Sequence, residues 1–108
     1  MKRILYASGS VLTGDDIAHS LVNYAAVLAR AGSADTVLIP AVTDHESRTV
    51  EMLLGPASQL IVEDAVTLPS DPVLEQEQFV ADIDVRTAHI EHPANIEPAE
   101  GLIDYDAY

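Results

Sequence analysis

The stretch of sequence that decides the fold reads TGDDIAHSLVNYAAVLARAG, from Thr13 to Gly32. Thr13 and Asp16 have the spacing of a capping box, in which each side chain reaches an amide at the start of a helix. Gly32 is suited to the left-handed conformation that ends many helices. The apolar residues between them recur at helical spacing and form one stripe: Ile17, Leu21, Tyr24, Ala25 and Leu28. The pattern predicts a helix over residues 14–31.

Two apolar runs flank this helix and are predicted to be strands. Lys2–Ala7 contains three consecutive β-compatible residues, and the run from Asp35 to Pro40 is almost entirely apolar, which suggests burial on both faces. A strand, a helix and a strand in this order form a βαβ unit, whose strands are expected to be parallel with a right-handed crossover. Residues 8–14 are then expected to be the loop that enters the helix.

The segment 43–54 leaves two interpretations open. A strand is favoured because Thr49 and Val50 are both β-branched. A helix would be supported by a possible capping box at its start and by the stop signal Gly55-Pro56. The following residues, 59–63, are predicted to be a strand in either case, with residues 55–58 as the turn of a hairpin.

The region 74–88 is also compatible with either class of structure. Val73, Val80, Ile83 and Thr87 fit one helical face, whereas Phe79, Ala81, Ile83 and Val85 alternate as in a strand. We interpret this region as a helix, with Pro72 in its first turn, because proline is well tolerated there.

These elements predict an α/β or α+β fold with a small mixed sheet of about four strands and two helices, in the order β-α-β-β-β-α. If residues 45–54 were helical, the order would become β-α-β-α-β-α. Residues 1–92 are predicted to form a single domain. Residues 93–108 are predicted to be an acidic C-terminal tail that docks through its apolar side chains, Leu102, Ile103, Tyr105 and Tyr108.

The composition excludes several classes of function. The chain of 108 residues has 18 acidic and five basic residues, a formal net charge of −13. Such a charge repels nucleic acids and anionic membranes, so neither is expected as a partner. Because the chain has no cysteine, disulfides, thiolate metal sites and thiol chemistry are excluded, and a cytoplasmic location is favoured.

The best candidate for a ligand site is the predicted loop 8–14. A loop between a strand and a helix N-terminus is a common ligand site, and its amides attract anions. Gly9 and Gly14 have the glycine spacing of a nucleotide-binding P-loop, but aspartates follow where lysine and serine or threonine are required. A nucleotide site is therefore rejected, and a small ligand would be held by Ser8, Gly9, Ser10 and Thr13.

A candidate metal site is the pair His89 and His92, with acidic neighbours at 84, 91 and 97. A spacing of three residues places two ligands on one helix face, and imidazole with carboxylate suits zinc, nickel or iron. However, Pro93 disfavours helix at the residue before it. The alternative interpretation is two solvated histidines near acids.

No catalytic set of residues is found, and no cofactor is predicted. The sequence therefore favours a non-enzymatic function over an enzymatic one. The favoured hypothesis is a small non-enzymatic assembly or adaptor module that self-associates. The two alternatives are a small-ligand binding protein that uses the loop 8–14 and a metal-dependent enzyme or metal carrier that uses the histidines.

Overall fold

The computed structural model describes residues 1–7 and 9–92, which form an α+β fold of one antiparallel sheet and two helices. The predicted fold class is confirmed. Ser8 and the tail 93–108, with its expected docking, lie outside the described residues. The elements in chain order are β1 (Lys2–Tyr6), β2 (Gly9–Thr13), α1 (Asp15–Ala31), β3 (Asp35–Thr43), β4 (Glu46–Leu54), β5 (Leu60–Asp64) and α2 (Glu77–Glu91).

The sheet has the strand order β4-β3-β2-β1-β5, and every neighbouring pair is antiparallel. The expected parallel βαβ unit is wrong, because the predicted loop contains the additional strand β2. Ala7, with a φ of 55°, begins the reversal that lets Gly9–Thr13 pair back onto β1. The strand that precedes α1 is therefore β2, which meets β3 at Leu12 and Val42.

Strands β3 and β4 form a hairpin with nine paired positions. Asp44 and His45 connect them with φ angles of 52° and 64°, and two left-handed residues suit the twist of a two-residue hairpin turn. The favoured interpretation of residues 46–54 as a strand is confirmed. In β4, Met52 and Leu54 are buried whereas Glu51 and Leu53, which alternate with them, are exposed, so one face of the strand lies on the core.

Strand β5 pairs with β1 at the far edge of the sheet, so the expected hairpin between β4 and β5 is wrong. Gly55–Ser58 does form a turn, in which the amide of Ser58 donates to the carbonyl of Gly55 at 3.1 Å. The chain then crosses to β1, where Val62 lies opposite Ile4. Strand β5 pairs with a strand that is distant in the sequence, and the residues of the local turn do not predict this pairing.

Helix α1 covers the predicted residues but begins differently. Thr13 does not cap it, because its hydroxyl donates to the carbonyl of Pro40 at 2.7 Å. The side-chain oxygen of Gln76 accepts from the amides of Asp16 and Ile17 instead, at 3.0 and 3.3 Å. At the other end, Gly32 has the left-handed conformation that the sequence predicts, with a φ of 67°.

Helix α2 confirms the helical interpretation of 74–88, although it begins at Glu77 and not near Pro72. Ile83 is its only fully buried residue. Helix α2 packs beside α1. Both helices contribute to one core cluster, together with three strands and the segment before α2. Its buried members are Ile4, Ile17, Ala18, Leu21, Tyr24, Leu28, Val37, Ile39, Val42, Met52, Leu54, Leu74 and Ile83.

Candidate functional site

The residues predicted to hold a small ligand are not gathered into a loop. Gly9 and Ser10 lie exposed at the start of β2, whereas Thr13 at its end is fully buried and is bonded to Pro40. Ser8 is outside the described residues. The premise of a strand–helix loop is therefore wrong for residues 9–13. That these residues bind a small ligand stays a prediction, but the strand–helix loop on which the prediction was based is not present over residues 9–13.

The start of α1 borders a groove of about 520 Å³, but its first amides are already engaged. Gln76 accepts from two of them, and the amino terminus of Met1 pairs with the Asp15 carboxylate at 2.9 Å. Asp16 and Asp71 also line the groove. Three carboxylates and an occupied helix end disfavour an anion here, although helix N-termini generally attract one.

The two predicted metal-binding histidines lie at the end of α2. His89 is exposed in the last turn, and His92 is the capping residue, whose amide donates to the carbonyl of Ala88 at 2.8 Å. Their acidic neighbour Glu91 pairs with Arg30 at 3.5 Å. Within residues 1–7 and 9–92, no three or more metal-ligating side chains are grouped. The metal assignment therefore gains no supporting geometry.

His45 and Asp71 form a polar pair that the sequence analysis did not predict. The Nδ1 atom of His45 lies 2.9 Å from a carboxylate oxygen of Asp71, whose other oxygen accepts from the amide of Leu68. The bond to Asp71 raises the pKa of His45, and the same bond lowers the pKa of Asp71. The pair holds the chain between β5 and α2 against the β3–β4 turn. Because its members are 26 residues apart in the sequence, no local sequence pattern predicts the pair.

A polar cluster of Tyr24, Asp35 and Arg86 connects both helices to the start of β3. The hydroxyl of Tyr24 donates to Asp35 at 2.5 Å, and Arg86 donates to the same carboxylate oxygen at 3.0 Å. Burial and the bond to Asp35 raise the pKa of Tyr24 to about 12. A tyrosine that is so hard to ionise is unsuited to general base catalysis near neutral pH. This group fixes the helices to the sheet.

The most unusual surface is the side of the sheet opposite the buried strand residues, which we call the exposed face. Leu38, Leu53 and Ile61 on it are 61, 56 and 62% exposed. The prediction that 35–40 is buried on both faces is wrong, because Val37 and Ile39 face the core while Leu38 faces outward. Leu53 lies opposite Thr36, so Leu38 is its diagonal neighbour on the same face.

The exposed face carries little of the chain's negative charge. Its charged residues are Arg3, Glu51 and Glu63, and Arg3 lies 3.6 Å from Glu63. The chain as a whole carries −13. Large apolar side chains on a nearly neutral surface of a strongly acidic protein are typical of a contact surface.

Comparisons with known proteins give this surface no precedent. No protein-family model matches the chain, and neither the curated proteins nor the solved structures include a significant match. In the part of the chain that the structure describes, neither helix has the length and apolar character that a membrane span requires.

Proposed function

We propose that the chain is a non-enzymatic assembly module that self-associates through its sheet. The observation that carries the proposal is the exposure of the neighbouring residues Leu38 and Leu53, with Ile61 also exposed on the same side of the sheet at its far edge. Monomeric proteins tolerate single exposed apolar residues, whereas neighbouring ones commonly mark a contact surface.

The energetics favour covering this surface. Removing a leucine or isoleucine side chain from water contributes about 1.5–3 kcal/mol when burial is complete. The strand side chains of the exposed face add little electrostatic cost, because Arg3 offsets Glu63 and leaves Glu51 uncompensated. Glu75 and Asp82 lie beside this face, where they line a groove with Leu38. Two copies can therefore approach through the sheet with less repulsion than their total charges imply.

The alternative functions have less support from the geometry. A small-ligand binder would use a helix end that Gln76 already caps, and a metal carrier would use two exposed histidines without a third grouped ligand among the described residues. We retain the cytoplasmic location as part of the proposal, supported by the absence of cysteine.

Light scattering coupled to size exclusion tests the proposal on the full chain. We expect a concentration-dependent dimer. The double variant Leu38→Lys, Leu53→Lys is expected to weaken it at least tenfold if the copies meet through the exposed face, and to leave it intact if they meet at the edge of the sheet. The matched control is Val85→Lys, at a residue that is 63% exposed on α2 rather than on the sheet. A wild-type chain that stays monomeric at every concentration would overturn the proposal, as would equal weakening by the control.

A further inference from the structure

The free edge of β4 can be read from the hydrogen bonds of its neighbour. The carbonyl of Pro40 in β3 accepts from Thr13, so it points away from β4. Pro40 lies directly opposite Thr49. In an antiparallel pair, two opposite residues direct their backbone groups either toward each other or away from each other. The amide and carbonyl of Thr49 therefore point to the open side of β4.

The same direction holds for alternate residues of the strand, Ser47, Glu51 and Leu53. The carbonyl of Leu53 is already occupied, because it accepts from the hydroxyls of Tyr6 and Ser58. This leaves the amides and carbonyls of Ser47, Thr49 and Glu51 at the edge. An edge strand with unpaired backbone groups is a template for another strand.

We infer that this edge pairs antiparallel with β4 of a second copy, around a twofold axis at Thr49. Thr49 then lies opposite Thr49 of the second copy, and Ser47 lies opposite Glu51 of that copy. Each such pair exchanges two hydrogen bonds, so every free amide and carbonyl of these three residues is satisfied. The inference rests on the proposed self-association and places the contact at the edge of β4, the strand of Leu53 and one strand away from Leu38.

The sequence of β4 selects this register over its neighbours. A shift by two residues in one direction places Arg48 opposite Arg48 of the second copy, and like charges directly opposite are destabilising. A shift by two in the other direction requires the carbonyl of Leu53, which Tyr6 and Ser58 already occupy. A shift by one residue would turn the buried side chains of one copy toward the exposed face of the other.

In the inferred register no charged residue faces a like charge. Glu51 lies opposite a serine, and Arg48 lies opposite Val50 while its guanidinium stays paired with Glu46 of its own strand at 3.0 Å. The two threonines at the axis can exchange a hydroxyl hydrogen bond, a favourable cross-strand pair. The strand also lacks proline and lysine, which commonly protect edges from pairing. This self-complementarity favours a second copy over a foreign strand.

Single cysteines give a direct test, because the chain has none of its own. A hydrogen-bonded pair places its Cα atoms about 5.5 Å apart, within the range of a disulfide. The full-length variant Thr49→Cys is therefore expected to form a disulfide dimer on mild oxidation. The control Leu38→Cys, exposed but one strand further in, is expected to stay monomeric.

A mixture of Ser47→Cys and Glu51→Cys chains sharpens the test, since these positions face each other only between different copies. The mixture is expected to cross-link, whereas each variant alone is not. Thr49→Pro is expected to abolish the dimer with an unchanged fold, because the lost amide is unused within one copy and proline is accepted at such edge positions. Thr49→Val, which keeps the amide, is expected to remain dimeric.

Each other outcome overturns the inference in a distinguishable way. Cross-linking through Leu38→Cys instead of Thr49→Cys would show that the copies meet face to face, which keeps the proposed self-association but removes this interface. A dimer by light scattering that survives Thr49→Pro would do the same. A monomer by light scattering in every variant would overturn both the interface and the proposed function.

Discussion

The two helices lie side by side but are held in different ways. Helix α1 has 17 residues, of which seven are buried, whereas α2 has 15 residues and only Ile83 is buried. The attachment of α2 depends on polar contacts that cross to other elements, such as Arg86 with Asp35 and Asp84 with Ser20. Apolar burial therefore determines the position of α1, while side-chain hydrogen bonds contribute much of what positions α2.

The largest expected difference between the helices comes from truncating their apolar side chains. Leu21 of α1 is fully buried, so Leu21→Ala is expected to lower the free energy of unfolding by about 2–5 kcal/mol, through lost burial and the cavity left behind. Phe79 of α2 is only partly buried, and Phe79→Ala is expected to cost clearly less. Urea denaturation measures both; equal losses would show that α2 depends on apolar packing as α1 does.

The capping contact between the two regions is expected to have an intermediate effect. Gln76→Ala removes the oxygen that accepts from the amides of Asp16 and Ile17, and losing a helix cap costs about 1 kcal/mol. Its control is Gln78→Ala, because the side chain of Gln78 donates within its own helix, to Asp82 at 3.0 Å. Thermal unfolding should separate the two variants. An equal effect would mean that Gln76 does not stabilise α1.

The smallest expected effect is a dependence of stability on pH from His45 and Asp71. Because the pKa of His45 is raised in the folded protein, its charged form contributes to stability. This contribution is complete below pH 6.5 and is lost as the pH rises through the raised pKa. Because the pKa of Asp71 is lowered in the folded protein, its charged form also contributes to stability. This contribution is present above pH 3.8 and is lost as the pH falls through the lowered pKa. Asp44 also favours the charged histidine.

The variant His45→Asn is expected to remove the pH dependence that comes from His45 and to reduce that from Asp71, whose carboxylate keeps the bond from the amide of Leu68. Its stability should therefore differ most from that of the wild type between these two pH values. Urea denaturation across the acidic and neutral range measures the difference. A parallel pH profile in the two proteins would show that the pair does not hold the segment before α2.

The contrast between the helices also explains what the sequence could predict. The stripe of α1 is in phase over its whole length, and Gly32 marks its end, so the helix was predictable within a residue. In α2 the apolar residues fit two periods, and the start at Glu77 depends on Gln76 reaching another helix. Local pattern therefore predicts an element best where burial is extensive.

The sheet shows the limits of local pattern more clearly. The strand β2 is short and begins with Gly9 and Ser10, residues that usually indicate a turn, so it was predicted as a loop. The exposure of Leu38 could not be foreseen, because a continuous apolar run does not reveal which face is covered. The candidate interface was missed for the same reason: a strand's free edge is a property of the assembled sheet.

The most direct test of the central claim is the mass of the full wild-type chain by light scattering over a range of concentrations. We expect twice the mass of one chain at high concentration, with a shift toward a single chain on dilution and in Thr49→Pro. A mass of one chain at all concentrations would contradict self-association. A dimer that Thr49→Pro leaves intact would contradict the edge of β4 as its interface.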